Sequence, residues 1–271
     1  MAFQRTLGFL GFGNMGQAIA RGLVAAGTVA PQQMVVFDIE ESKKEAGQAL
    51  GIRVAETGQE LAGSCSVLIV AVKPQDMETA LGSIRGHVSS ETLLISIAAG
   101  VPIRFIQGRL GEELRVARVM PNTPTLVRAG AAAVALGPTC TEADRAAVKT
   151  ILGAVGTVEL VSEPALDAVT ALSGSGPAYF FCLVECLVKA AVAEGLAEDQ
   201  ALRLAGQTLL GAGRLLVESG ESPRALRERV TSKGGTTEAA LARFREAGFE
   251  GMVRSGVAAA AARSRQLGKS R

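Results

Sequence analysis

From Thr6 to about Val161 short apolar runs recur, each bounded by glycine, proline or polar residues. Residues 6–10, 34–38, 67–72, 92–97 and 114–119 read as buried strands, short and mainly apolar. Between them, residues 15–26, 41–50, 76–84 and 102–110 read as helices, with Pro102 suited to a first helical position. This alternation predicts a parallel sheet with helices on both faces, an α/β doubly wound arrangement. Residues 131–136 and 156–160 add later strands, flanking a helix that begins near Thr141 with Asp144 in capping-box register. After about Glu163 strand signals cease. Residues 179–194, 199–218, 223–230, 237–247 and 251–266 read as helices rich in Ala and Gly, and residues 263–271 as a short, frayed basic tail. Two domains are therefore expected, 1–162 and an all-helical 163–271.

Composition narrows the chemistry. Charges nearly cancel, with 28 Lys+Arg against 26 Asp+Glu, so no strong field calls for nucleic acid or an anionic membrane. The first five residues lead straight into a strand, without the cleavage region of a signal peptide. The longest apolar stretch, 178–193, is interrupted by Glu185 and Lys189 and is short for a membrane span. A cytoplasmic protein that binds neither membrane nor nucleic acid is expected. Cys65, Cys140, Cys182 and Cys186 include no CxxC pair; Cys182 and Cys186 share one helix face and read as small core residues. With one His (His87), one Tyr (Tyr179) and no Trp, a multi-His metal site or a stacking platform lacks parts, and no metal site is expected. His87 reads as a solvated loop residue and Tyr179 as a core or interface residue.

The motifs then supply what the composition does not exclude. Gly11-Phe12-Gly13-Asn14-Met15-Gly16 is GxGxxG between a strand and a helix: Gly11 for the tight turn, Gly13 for approach to a pyrophosphate, Gly16 for helix–strand packing. Asp38 closes the second strand, where a carboxylate accepts hydrogen bonds from a ribose 2′-OH and disfavours a 2′-phosphate. Lys43 and Lys44 follow, either offering positive charge to that phosphate or solvating the next helix. Two further strand ends should flank the cofactor: Ala71-Val72-Lys73-Pro74, where Lys73 either touches a ligand or is a plain loop lysine, and Met120-Pro121-Asn122, which can offer Asn122 to a carboxamide. Leu172 to Tyr179 (LSGSGPAY) is not a nucleophile elbow, and Phe180 stands where the hydroxy-acid dehydrogenases of similar plan carry a lysine base. In Val230 to Thr237 (VTSKGGTT), glycines and hydroxyls gather at a helix N-terminus; an ordinary capped turn needs fewer, and a small-carboxylate site is the preferred reading.

Together FLGFGNMGQAI, AVKPQ, MPNTP, ALSGSGPAYFF and VTSKGGTT resemble the pyrroline-5-carboxylate reductase family over nearly the whole chain. Lys233, where many members have Pro, and Asp38, where members favouring NADPH carry small polar residues, depart from the pattern. The resemblance implies NADPH- or NADH-dependent reduction of 1-pyrroline-5-carboxylate to L-proline. It also implies a Rossmann-like domain followed by a helical dimerisation domain, the dimers assembling into larger rings. Ser232, Gly234, Gly235 and Thr236 would hold the substrate carboxylate, and Thr237 would bond the ring nitrogen as the catalytic group. Another imine reductase, a hydroxy-acid dehydrogenase and a non-catalytic dinucleotide sensor are the alternatives.

Overall fold

The structure, a computed structural model, describes residues 5–269. In chain order its first part contains β1 (Leu7–Leu10), α1 (Asn14–Ala25), β2 (Met34–Phe37), α2 (Glu41–Gln48), β3 (Arg53–Val54), α3 (Gly58–Ser64) and β4 (Val67–Val70). There follow α4 (Met77–Ile84), β5 (Leu93–Ser96), α5 (Ile103–Leu110), β6 (Arg115–Met120), β7 (Gly130–Leu136), α6 (Glu142–Gly153) and β8 (Gly156–Leu160). The strands form one eight-stranded sheet in the order β3-β2-β1-β4-β5-β6-β7-β8. Leu7 of β1 is in register with Met34 on one side and Val67 on the other. Every pairing is parallel except β6 with β7, so the expected all-parallel sheet carries one antiparallel step.

All four residues of β1, β4 and β5 are buried, which is why these runs read as continuous rather than alternating apolar. Their side chains divide between two clusters. Phe9, Ile69 and Ile95 join Ile19 and Leu23 of α1 and Val148 of α6; Leu10, Leu68 and Leu94 join Leu61 of α3, Leu81 of α4 and Ile106 of α5. The predicted double winding is what this two-sided core requires. Pro102 proves to be the N-cap of α5 rather than its first residue. Two elements escaped the sequence pattern. The pair of residues in β3 has no apolar run, since Arg53 is exposed. Helix α3 is only seven residues long, although Thr57 accepts from Glu60 N–H as its N-cap, a signal the sequence did carry.

Beyond β8 a 3₁₀ turn (Glu163–Ala165), α7 (Leu166–Val169) and a π-helical turn (Thr170–Gly174) lead into α8 (Gly176–Ala193). These turns and α8 make one helical stretch, Glu163–Ala193, holding an 18-residue window of mean hydropathy 1.5, long and apolar enough to cross a membrane by length and composition alone. Counting only 178–193 had made it look too short. Then come α9 (Glu198–Ser219), α10 (Pro223–Arg229), α11 (Thr236–Glu246) and α12 (Phe249–Lys269). The chain divides into two compact units, Met1–Ser175 with Ala260–Arg271, and Gly176–Ala259. The strand signals stop near 162, but the next turns stay with the sheet because Leu166 packs with Ala133 and Ala135 of β7. The expected frayed tail is helical as far as it is described: Ser264 Oγ donates to Asp167 Oδ1 at 2.6 Å, and Leu267 lies against Gly100. Ser270 and Arg271 of that tail lie outside the described residues.

Within the second unit α8 packs on α9, yet Val188 and Ala201 are its only buried hydrophobic residues among those described. Cys182 and Cys186, expected in a core, are exposed here, and Tyr179 is exposed at 39%.

The first unit is tied at the start of α6 by a buried carboxylate. Asp144 accepts from Thr141 N–H at 3.0 Å and Thr141 Oγ1 at 2.8 Å, and it meets Arg5 at 3.3 Å and Arg115 at 3.5 Å. Burial pushes its carboxyl up, but the Thr141 hydrogen bonds and the two arginines outweigh it and hold the group below the ordinary value. A lowered native value stabilises the fold above the unfolded value of 3.8 and is lost as pH falls through the native one. Asp144→Asn should therefore lower unfolding free energy by about 2 kcal/mol at neutral pH, between a lost cap and a broken buried pair. Denaturant titrations should show the gap from wild type closing as pH falls below ~4; a gap independent of pH would remove the charged carboxylate from the account.

Candidate active site

The parallel strands β1, β2, β4, β5 and β6 all end at one edge of the sheet, and the loops leaving them meet there. They line a cleft of about 540 Å³. Gly13, Asn14 and Met15 come from the β1 loop, Glu40 and Lys43 from the β2 loop and α2, Ala71 to Pro74 from the β4 loop, Ile97 to Ala99 from the β5 loop, and Met120 and Pro121 from the β6 loop. The sequence reading named most of these but missed the β5 segment. The rule that found the β4 loop, that strand C-termini line the crevice, applies to it equally.

The three motif glycines differ in what requires them. Gly11 has φ +88, and a Cβ there would lie 2.8 Å from Val72 Cγ1 and 3.0 Å from the Ala71 carbonyl carbon. Gly16 is buried in α1, where a Cβ would lie 3.1 Å from the Gly11 carbonyl oxygen. Gly13 is the opposite case: a Cβ would meet no protein atom within 4 Å. Gly13 is also the N-cap of α1, with no side-chain cap and no acidic residue in the first turn. The leading N–H groups of that helix are thus left for an outside acceptor. An open cradle at a bare helix N-terminus, with no protein carboxylate competing for it, fits the pyrophosphate of a dinucleotide. Between the glycines Phe12 is wholly buried and packs edge-on to Phe9, with ring centroids 5.6 Å apart, anchoring the loop from beneath.

Two expected cofactor residues have different roles in this geometry. The Asp38 carboxylate accepts from Phe12 N–H at 2.6 Å and from Glu40 N–H at 2.9 Å. Both oxygens are held by backbone, and Asp38 does not line the cleft; Glu40 and Lys43 do. Asn122 is buried, its Nδ2 donating to Ser173 O at 3.1 Å and its Oδ1 accepting from Ala131 N–H at 2.9 Å. The amide therefore ties the β6 loop to β7 and to the SGSG segment rather than facing a carboxamide. Gly174 completes that packing, since a Cβ on it would lie 2.5 Å from Met120 Cε.

The second motif forms the turn between α10 and α11. Thr231 Oγ1 donates to Arg227 O at 2.6 Å and so belongs to the preceding helix. Gly235 is the N-cap of α11 and lies against Ser232, whose Oγ would be 2.4 Å from an added Cβ. Gly234 N–H donates to Glu238 Oε2 at 2.7 Å. Among the described residues nothing bonds the hydroxyls of Ser232, Thr236 and Thr237. A side-chain carboxylate already sits on an amide of this turn, beside three free hydroxyls.

Acid–base groups are scarce. The charged residues lining the cleft are Glu40, Lys43 and Lys73. His87 is exposed, with Nδ1 3.1 Å from Arg85 O, and is not among the lining residues. Burial pushes the Cys65 thiol up to about 12 and raises Cys140 as well, which leaves both unreactive. Among the described residues no group of three or more His, Cys, Asp or Glu side chains gathers to hold a metal.

Comparison with known proteins assigns the two halves. Residues 163–267 match the family described as pyrroline-5-carboxylate reductase dimerisation, and residues 6–100 match that described as NADP oxidoreductase, coenzyme F420-dependent. The chain is 41% identical to the pyrroline-5-carboxylate reductase of Methanosarcina acetivorans over 97% of its length and 98% of that protein's. It superposes on the Coxiella burnetii pyrroline-5-carboxylate reductase with a TM-score of 0.91 at 34% identity, covering 98% and 99% of the two chains. On the Plasmodium falciparum pyrroline carboxylate reductase with NADP bound the TM-score is 0.87 at 29% identity, covering 99% and 100%.

The glycines give a test that separates folding from ligand binding. Gly13→Ala meets no protein atom within 4 Å, so its thermal midpoint should match wild type while dinucleotide affinity, measured by fluorescence titration, falls about tenfold or more. Gly11→Ala should lower the midpoint itself, because a Cβ at φ +88 is both strained and crowded. Equal binding by Gly13→Ala would mean that no ligand approaches the loop at this point.

Proposed function

This chain belongs to the pyrroline-5-carboxylate reductase family, NAD(P)H-dependent enzymes that reduce 1-pyrroline-5-carboxylate to L-proline in proline biosynthesis, and from that premise we propose how its residues divide the work. The cofactor lies in the sheet-edge cleft, its pyrophosphate on Gly11, Gly13, Asn14, Met15 and Gly16 and its remainder along Ala71, Val72, Lys73, Pro74, Met120 and Pro121. Asp38 and Asn122 shape that cleft from behind. The substrate carboxylate is held by the turn at Ser232, Gly234, Gly235 and Thr236, and Thr237 bonds the ring nitrogen.

One observation carries this reading: Gly234 N–H is already closed on a carboxylate, that of Glu238, among free hydroxyls. Glu238 stands in for the carboxylate of the substrate. Its contact is exposed to water, so exchanging it for another carboxylate costs little. The bound cofactor supplies a hydride. A cyclic imine is readily protonated by water, and its carbon then accepts hydride without a strong acid from the protein. What the chain contributes is position: amides and hydroxyls fix the carboxylate, and the Thr237 hydroxyl fixes the ring nitrogen as it becomes an amine. A hydroxy-acid dehydrogenase would need a base where Phe180 stands.

The matched dimerisation segment makes the chain a homo-oligomer in this reading, and we extend it to rings of dimers in the cytoplasm, without membrane or nucleic acid. Support comes from the exposed Phe180, Phe181 and Leu187 on α8 and Leu204 and Leu210 on α9, a run of apolar surface that a lone chain leaves in water. That surface also accounts for the apolar length of 163–193 without a bilayer.

The direct test follows NADH and NADPH oxidation with 1-pyrroline-5-carboxylate; no turnover with either would overturn the assignment. If Thr237 orients the imine, Thr237→Ala should lower kcat/KM about tenfold or more, the size of one lost hydrogen bond near ~1.4 kcal/mol, with cofactor affinity unchanged. Thr237→Ser should restore most of the activity. Wild-type kinetics in Thr237→Ala would remove the hydroxyl from the mechanism.

A further inference from the structure

We propose that Lys43, and not Asp38, sets how this chain reads the ribose 2′ position, with the loosely paired Glu40 and Lys43 letting the cleft accept a 2′-phosphate as well as a 2′-hydroxyl. This rests on the reading that a dinucleotide fills the sheet-edge cleft. A pyrophosphate at the N-terminus of α1 places the adjoining adenosine ribose beside the C-terminal end of β2. In this chain that place is the segment from Asp38 to Lys43.

The usual acidic reader there is already engaged. Asp38 holds Phe12 N–H at 2.6 Å and Glu40 N–H at 2.9 Å, and it has no share in the cleft wall. The two bonds orient its oxygens toward the Phe12 and Glu40 amides. Its charge is therefore fixed against the glycine loop, and the wall that a ribose meets is made by Glu40 and Lys43.

The two lysines left open by the sequence are distinguished here. Lys44 is hydrogen-bonded to Glu41 at 3.0 Å and does not line the cleft. Lys43 lines it, and its Nζ lies 4.0 Å from Glu40 Oε2, the loose end of an ion pair. A phosphate can draw this ammonium away from Glu40 as a point-charge partner, whereas with a 2′-hydroxyl Glu40 can accept the hydrogen bond and Lys43 stays beside it. Lys73, on the β4 loop, is the other cation of the cleft and serves as the control.

Equilibrium titrations of the purified chain with 2′-phospho-ADP-ribose and ADP-ribose test this without any turnover. Lys43→Ala should weaken the 2′-phosphorylated ligand about tenfold and leave ADP-ribose within about twofold, and KM for NADPH should rise against KM for NADH in the same proportion. Glu40→Gln should shift the ratio the other way. Asp38→Ala should lower thermal stability and move the ratio less than Lys43→Ala does. An unchanged ratio in Lys43→Ala, a larger shift in Asp38→Ala or an equal shift of the ratio in Lys73→Ala would overturn the proposal while leaving the enzyme assignment intact. Failure of wild type to bind either ligand would overturn both the proposal and the reading of the cleft.

Discussion

β1 has neither a free edge nor a free face. It is hydrogen-bonded in parallel to β2 and β4, and all four of its residues are buried. A strand in that position can return to a parallel neighbour only through a crossover, and each crossover must cover one face of the sheet. Helices α1 and α6 on one face and α3, α4 and α5 on the other follow from this. The same constraint sends the ends of β1, β2, β4, β5 and β6 to one edge. The cleft is where parallel strands stop and backbone must turn.

Legibility followed that constraint. Strands buried on both faces announce themselves as apolar runs, so β1, β4 and β5 and the loops after most of the parallel strands could be read directly. The capping box at Thr141 and Asp144 was legible because the two residues bond each other locally. What could not be read were contacts made across the fold. Nothing adjacent to Asp38 shows that the Phe12 amide, 26 residues earlier, will claim its carboxylate. Nothing adjacent to Asn122 shows that Ser173, 51 residues later, will take its amide. A polar side chain at a strand end looks wholly available until its long-range partner is known. The π turn before α8 gave no signal of its own, and its Gly174 lies close against Met120.

The second unit obeys a different balance. Helices α8, α9 and α12 are long, yet Val188 and Ala201 are the buried hydrophobics among its described residues, and Phe180, Phe181 and Leu204 stay in water. Helix propensity forms such helices, but burial is what usually stabilises them. A second chain is the ready source of that burial, in keeping with the dimerisation family matched over 163–267. Cys182 and Cys186 are exposed on the same helix.

Two contacts between a carboxylate and a backbone amide show how one interaction can serve opposite ends. Asp38 on Phe12 N–H, at 2.6 Å, is part-buried, whereas its bond from Glu40 N–H is exposed; breaking the first would leave the Phe12 amide with few substitutes. Losing an acceptor there costs about 1–3 kcal/mol per amide, which is why this carboxylate behaves as structure. Glu238 on Gly234 N–H, at 2.7 Å, is exposed. Water replaces such a bond almost without loss, so the amide stays free to exchange its partner for a ligand. Geometry alone does not separate these two contacts; solvent does. A chain with one histidine and no cluster of metal ligands among its described residues can therefore still recognise an anion closely, provided the amides it uses for that are the ones left facing water.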